Sequence, residues 1–143
     1  MANRLQDKYR NNILGDNTYT NVQLDADTIA AMFIDAADDT LLVSDGDLSL
    51  LAAGARVPAA ASCPALGTKT IGTIAVGVFG AANTVFSGLT GDQVEHMIVF
   101  KNTGTDNTSI ICAFWDTFTS GMPLTPNGGD VTVQWNGSGI FSV

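Results

Sequence analysis

Residues 91–143 read GDQVEHMIVFKNTGTDNTSIICAFWDTFTSGMPLTPNGGDVTVQWNGSGIFSV. Apolar runs of strand length alternate here with clusters of Asn, Asp, Gly and Pro, the pattern of consecutive antiparallel strands joined by turns. Val94–Lys101 predicts one long strand, 102–108 an exposed turn, and Ser109–Asp116 a strand returning antiparallel. Thr117–Gly129 reads as an irregular crossing. Val131–Trp135 is the plainest strand, with Val131, Val133 and Trp135 on one face and Thr132, Gln134 and Asn136 on the other. Asn136-Gly137 then turns the chain, so that Ile140–Val143 can pair back as a terminal strand.

Upstream the signals are shorter. Thr28–Ile34 reads as a strand between Asp25 and Asp27 on one side and Asp35 on the other, and Thr40–Val43 either continues the pairing or begins a turn. Asp45-Gly46-Asp47 marks a turn or helix start, with either aspartate able to cap a single turn through Leu48, Leu50 and Leu51 that Gly54 closes. Arg56–Gly67, rich in Ala, Pro and Ser, reads as a long surface connection. Two strands are expected near Lys69–Val78 and Asn83–Ser87, and the loss of alternation over Ile74–Phe79 predicts cover on both faces there. Near the start, Leu5, Tyr9 and Ile13 recur every four residues before Gly15, which predicts a short helix over Asn3–Leu14, with an extended arm as the alternative. Tyr19 and Val22 settle no face. Seven or eight short strands favour an all-β, single-domain antiparallel β-sandwich, jelly-roll or Ig-like, with a closed barrel as runner-up. The expected division is an N-terminal arm or short helix over residues 1–18 and the sandwich over 19–143.

Composition narrows the function. A chain of 143 residues suits one domain with a sizeable core. A net charge of −8 and only six Lys and Arg argue against nucleic acid as a partner. Arg4, Lys8 and Arg10 stand within the first ten residues, where they form either a solvated turn or a short basic arm able to touch an acidic surface. Charged residues make up 14% of the chain, against roughly 25% in ordinary domains, and mean hydropathy is +0.21. So little charge predicts burial against other subunits. The polar start predicts no secretory signal, and glycines interrupting Ile71–Leu89 argue against a membrane span. Cys112 is expected as a small buried hydrophobe, Cys63 as a loop thiol before Pro64, with a disulfide between them left open.

No catalytic set can be assembled. His96, the one histidine, shares a strand face with Val94, Ile98 and Phe100 and reads as a satisfied structural or interface residue. Eight of the fourteen carboxylates fall between Asp16 and Asp47. Calcium is conceivable there, but the spacing lacks the ligand order of an EF-hand loop, and turn-forming aspartates explain it without a metal. The glycine pairs near 128 and 137 lack the following helix of a phosphate loop and the strand-to-helix setting of a nucleophile elbow. No catalytic residue, cofactor or metal is therefore expected.

The succession Gly54-Ala55-Arg56-Val57, Thr84-Val85-Phe86, Gly91-Asp92-Gln93-Val94-Glu95, Lys101–Thr105 and Met122–Val131, closed by Trp135 and Gly139-Ile140-Phe141, resembles a group of small tailed-bacteriophage virion structural proteins. The likeness runs from about Thr28 onward and is strongest from Gly91. It implies a β-rich particle component such as a capsid decoration (cement) protein, without enzymatic activity, synthesised in the host cytoplasm and located on the capsid surface. The implied partners are the major capsid protein and the chain itself, as a homotrimer by closed symmetry at three-fold lattice positions. The candidate interface residues are Arg4, Lys8, Tyr9, Arg10, Trp115 and Phe118. The alternatives are a tail or head-fibre component, or a receptor- or glycan-binding module using Trp115, Phe118 and the 117–127 loop.

Overall fold

A six-residue run without a polar side chain, Ile29-Ala30-Ala31-Met32-Phe33-Ile34, lies at the centre of the molecule. The computed structural model describes residues 3–16 and 21–143. Among these, the elements in order are β1 (Arg4–Leu5), α1 (Asp7–Ile13), β2 (Ile29–Ile34), β3 (Arg56–Val57), β4 (Thr70–Ile71), β5 (Val78–Gly80), β6 (Thr84–Phe86), β7 (His96–Lys101), β8 (Ile111–Trp115), β9 (Val131–Val133) and β10 (Phe141–Ser142). The strands form a five-stranded sheet in the order β1-β8-β7-β2-β3, a three-stranded sheet β10-β5-β4 and the pair β6-β9. Every pairing is antiparallel, and the sheets do not close into a barrel: the fold is an all-β sandwich with one short helix. No helix among the described residues is long and apolar enough to cross a membrane.

All six β2 residues are buried, because both faces of this strand are covered. Ile29, Ala31 and Phe33 join Met97 and Val99 of β7 in one core, which the two small sheets close with Phe79 and Phe86 and the half-buried Val131, Val133, Trp135 and Phe141. Ala30, Met32 and Ile34 join Ile98, Phe100, Ile111 and Phe114 in a second core on the other face, closed by Leu41, Leu48, Leu51 and Ala55 from the long 35–55 connection. β7 and β8 are joined by a turn in which Asn102 Oδ1 accepts from Gly104 N, and their register shifts between Val99 and Phe100. Cys112 is the extra residue of that shift and packs with Tyr9 and Ile110.

β9 keeps the expected alternation, with Val131, Val133 and Trp135 turned to the core and Thr132 and Gln134 exposed. The Trp135 indole donates to the Thr84 hydroxyl at 3.0 Å, which satisfies a polar pair at the core margin. The last strand departs from expectation: β10 pairs with β5, Phe141 opposite Phe79, and makes no hairpin with β9. Gly139 directs this path. It adopts φ +107°, and a Cβ there would fall 2.2 Å from the Val78 side chain, so only glycine lets the chain approach β5 so closely.

Other departures have similar long-range causes. The helix is confined to Asp7–Ile13, while Leu5 belongs to β1 opposite Ala113. Tyr9 is buried, but Ile13 is exposed, so the three apolar residues do not share one covered face. The 56–67 connection contains β3 and continues alongside β2, where Leu66 N donates to Ile29 O and Ala31 N to Pro64 O. The expected strand over 69–78 survives only as β4 and the first residue of β5. Between them residues 71–76 are exposed, Val76 to 98%, so of Ile74–Phe79, part of which is expected to be covered on both faces, only Phe79 is buried. Thr40–Val43 forms no strand and instead leads into a turn at 43–44, closed by Asp45 N donating to Leu42 O, the second of its two expected readings. Tyr19 and the boundary expected after residue 18 lie outside the described residues.

Truncating Phe33, which packs on Phe86 at 4.5 Å between ring centroids, should cost about 3–5 kcal/mol in urea unfolding. Val85→Ala, at a half-exposed position on the opposite face of the same β6 strand, should cost a small fraction of that.

Candidate interaction surface

The four N-terminal candidates have different surroundings. Arg4 stacks its guanidinium 4.3 Å above the Phe114 ring, donates to Leu41 O at 2.8 Å and reaches Gln6 Oε1. Gln6 itself is fully buried and donates from Nε2 to Leu42 O and Asp45 O. Lys8 pairs with Asp47 at 2.7 Å, with side-chain exposures of 14% and 10%. Tyr9 is buried against Cys112 and meets Phe141 edge-on at 5.9 Å; burial raises its hydroxyl pKa well above the ordinary value. Only Arg10 projects into solvent, with Asp7 as its exposed partner at 3.4 Å. The segment is thus built into the fold at residues 4–13, and three of its four candidate side chains hold the 41–47 loop or the core.

Around α1 and that loop the exposed groups include five large apolar side chains, Ile13, Leu14 (85% exposed), Leu42, Val43 and Leu50. Asp7 N donates to Val43 O, which ties the helix start to the loop. A shallow cleft of about 250 Å³ between them is lined by Asp7, Lys8, Asn11, Ser44, Asp47 and Leu50. Gly46 abuts Lys8 so closely that a Cβ would lie 2.4 Å from the lysine stem, which explains a glycine between two aspartates.

Trp115 and Phe118 are half-buried. Trp115 packs on Trp135 at 6.2 Å, and Phe118 lies against the core formed with the small sheets. The two candidates therefore share a core and do not join the N-terminal ones.

The aspartates of the acidic stretch act as acceptors for backbone amides. Asp27 accepts from Gln23 N, Asp35 from Ala37 N, Asp39 from Ala52 N and Asp45 from Leu42 N, at 2.6–2.8 Å. Asp47 caps the 3₁₀ turn Leu48–Leu50 through Ser49 N and also takes the Ser49 hydroxyl. Asp27 additionally pairs with Lys101 at 2.9 Å. The turn-forming role read from the sequence is what these carboxylates do. Among the described residues no three His, Cys, Asp or Glu side chains group as they would around a metal ion.

His96 corrects one expectation. Its ring meets Phe114 edge-on at 5.1 Å, but the buried Nδ1 has no hydrogen-bond partner, so this nitrogen is not satisfied. Both cysteines are free thiols, Cys112 fully buried and Cys63 half-buried, and burial pushes each up to about 12.

Arg56 was not a candidate, yet it is the most engaged cation. It donates to the carbonyls of Leu48 and Leu51 and pairs with Asp106 at 2.7 Å, tying β3, the 48–51 turn and the turn after β7 together. Its partners lie 5, 8 and 50 residues away, so no local pattern announces it.

Burial by itself would raise the Asp47 carboxyl, but hydrogen bonds from Lys8 and Ser49 and the Lys8 charge more than offset this and hold it below the usual range. A depressed folded pKa stabilises above the unfolded value near ~4, and that stability is lost as pH falls through the folded value. The Tm gap between wild type and Asp47→Asn should therefore be widest above about pH 5 and close as acid is added. Thiol labelling at pH 8 should be slow at Cys63 and confined to unfolded protein at Cys112, as read by mass spectrometry of peptides. Compared with protein-family models and with curated proteins, the chain matches none.

Proposed function

We propose that this chain is a tailed-bacteriophage virion structural protein, a capsid decoration protein that binds and stabilises the major capsid protein lattice as a homotrimer. The observation that carries the reading is the exposed apolar surface of a chain with few charges. Leu14, Leu42, Val43 and Leu50 stand outside on the α1 side, and Ile71 of β4, Val85 of β6, and Ile74 and Val76 of the β4–β5 connection are exposed elsewhere. Exposed apolar groups on this scale suit permanent contacts, which resemble a core cut in half. Besides the cleft of about 250 Å³ beside α1, one of about 260 Å³ is lined by Pro58, Ser62 and residues 86–90, and neither is enclosed as a small-molecule site usually is.

The α1 side is the surface we assign to the shell. Arg10 is its exposed cation, beside Leu14 and the apolar tip of the 42–50 loop. Lys8 and Tyr9 contribute by fixing that surface, since both are held inward. A glycan platform on Trp115 and Phe118 is disfavoured, because a sugar-stacking ring needs a free face and both rings lie on the core.

Copy number per particle, measured by quantitative mass spectrometry of virions, tests the reading. Hundreds of copies, comparable with the major capsid protein, are expected, and particles lacking the protein should show bare lattice sites and lower heat resistance. A handful of copies, or an intact shell with a missing tail part, would overturn it.

A further inference from the structure

Charge is segregated within this molecule. Of its six basic and fourteen acidic side chains, only Asp130 falls within residues 70–91 and 117–143. Those two stretches supply β4, β5, β6, β9 and β10, the whole of both small sheets. Their inward side chains close one core of the five-stranded sheet through Phe79, Phe86, Val131 and Val133. Outside that core the same stretches expose Val85 on β6, with Thr132 directly opposite it, Ile71 at the β4 edge opposite Phe79, and Ile74 and Val76 in the β4–β5 connection; the four apolar side chains are 46–98% exposed, and Asp130 is the single ionic side chain. The acidic 35–55 connection covers the other face of the same sheet.

We infer that this charge-poor layer, with Asp130 as its one acidic side chain, is the surface on which copies of the chain associate with one another. Two copies each carrying −8 repel, and apposed like charges at a contact cost several kcal/mol. The small-sheet layer is the part of the molecule that can meet its own copy without that cost. Burial of the projecting valine and isoleucines supplies the attraction. The strand edges here point the same way. β6 and β9 form a two-stranded sheet, so each has one edge without a strand beside it, and neither strand carries a charged residue of the kind that usually blocks edge pairing. A polar rim of Thr and Gln is compatible with such a contact, whereas the aspartate-rich side is not.

Sedimentation equilibrium of the purified full chain is the test, with wild type, Val76→Asp, Val76→Lys, Thr132→Asp and the control Asn107→Asp, which adds an acid on an exposed turn outside the layer. Wild type should be oligomeric. Both Val76 variants and Thr132→Asp should weaken association roughly tenfold or more with unchanged circular dichroism, while the control leaves it intact. Because Val76 is 98% exposed, neither substitution there should affect folding. Equal loss with Asp and Lys is the signature of an uncharged partner surface; tighter association with Lys would mean that the layer meets an acidic face and would overturn the proposal. Monomeric wild type, or an oligomer that all the layer variants leave intact, would overturn it too. The contact deepens the homotrimer of the virion reading: a monomeric wild type removes the trimer from that reading, while the capsid placement is decided separately by the copy-number measurement.

Discussion

Covering both faces of one strand is the constraint that the rest of the structure answers. β2 has neighbours on both edges and cores above and below, so none of its six positions can be polar without leaving a group unsatisfied. Each large buried side chain stabilises by about 1.5–3 kcal/mol relative to exposure, set against the cost of ordering the chain around it. One face is closed by short strands, the other by an irregular connection that brings Leu41, Leu48 and Leu51 to the core without forming a sheet. An irregular cover leaves many backbone amides without ladder partners, and that need explains the composition of the 35–55 connection.

Aspartate is the residue that meets it. A carboxylate can accept from an amide two or three residues away, as Asp35, Asp45 and Asp47 do, and Asp39 reaches across the connection to Ala52 N. Where a longer reach is needed, a cation takes over: Lys8 on Asp47, Lys101 on Asp27, Arg56 on Asp106 and two carbonyls. These pairs are largely shielded, unlike Arg10–Asp7, which is exposed on both sides and contributes little. A carboxylate count that suggests metal chemistry in a linear reading is, in three dimensions, a set of loop fasteners.

The legible parts of the fold were those specified by neighbours in sequence. Alternation identified β9, the apolar run bounded by aspartates identified β2, and the turn after Lys101 placed β7 and β8 together. The aspartate cap before Leu48 and the buried Cys112 were legible for the same reason. Two-residue strands such as β1, β3, β4 and β10 carry no periodicity of their own, since they exist only through partners far away in the chain. The candidate surface was less legible still. Arg4 and Lys8 look accessible in a polar segment, but their partners stand 37 and 39 residues on. Trp115, an interface candidate in the sequence, packs on Trp135 twenty residues on, a contact no local pattern announces.

The pairing of Arg4 and Leu5 with Phe114 and Ala113, together with Tyr9 against Phe141, sets a timetable for a chain emerging from the ribosome. Much of the packing around Leu5 and Tyr9 comes from residues translated more than a hundred positions later, namely Ile110, Cys112, Ala113 and Phe141. At ordinary elongation rates of about 5–20 residues per second, Leu5 and Tyr9 wait several seconds or more for their partners. During that interval β2 is likewise uncovered, since the sheets that close one of its faces come from downstream. Completed chains can seal the sheet; nascent ones hold an open apolar strand, which makes that interval the point of greatest exposure to aggregation.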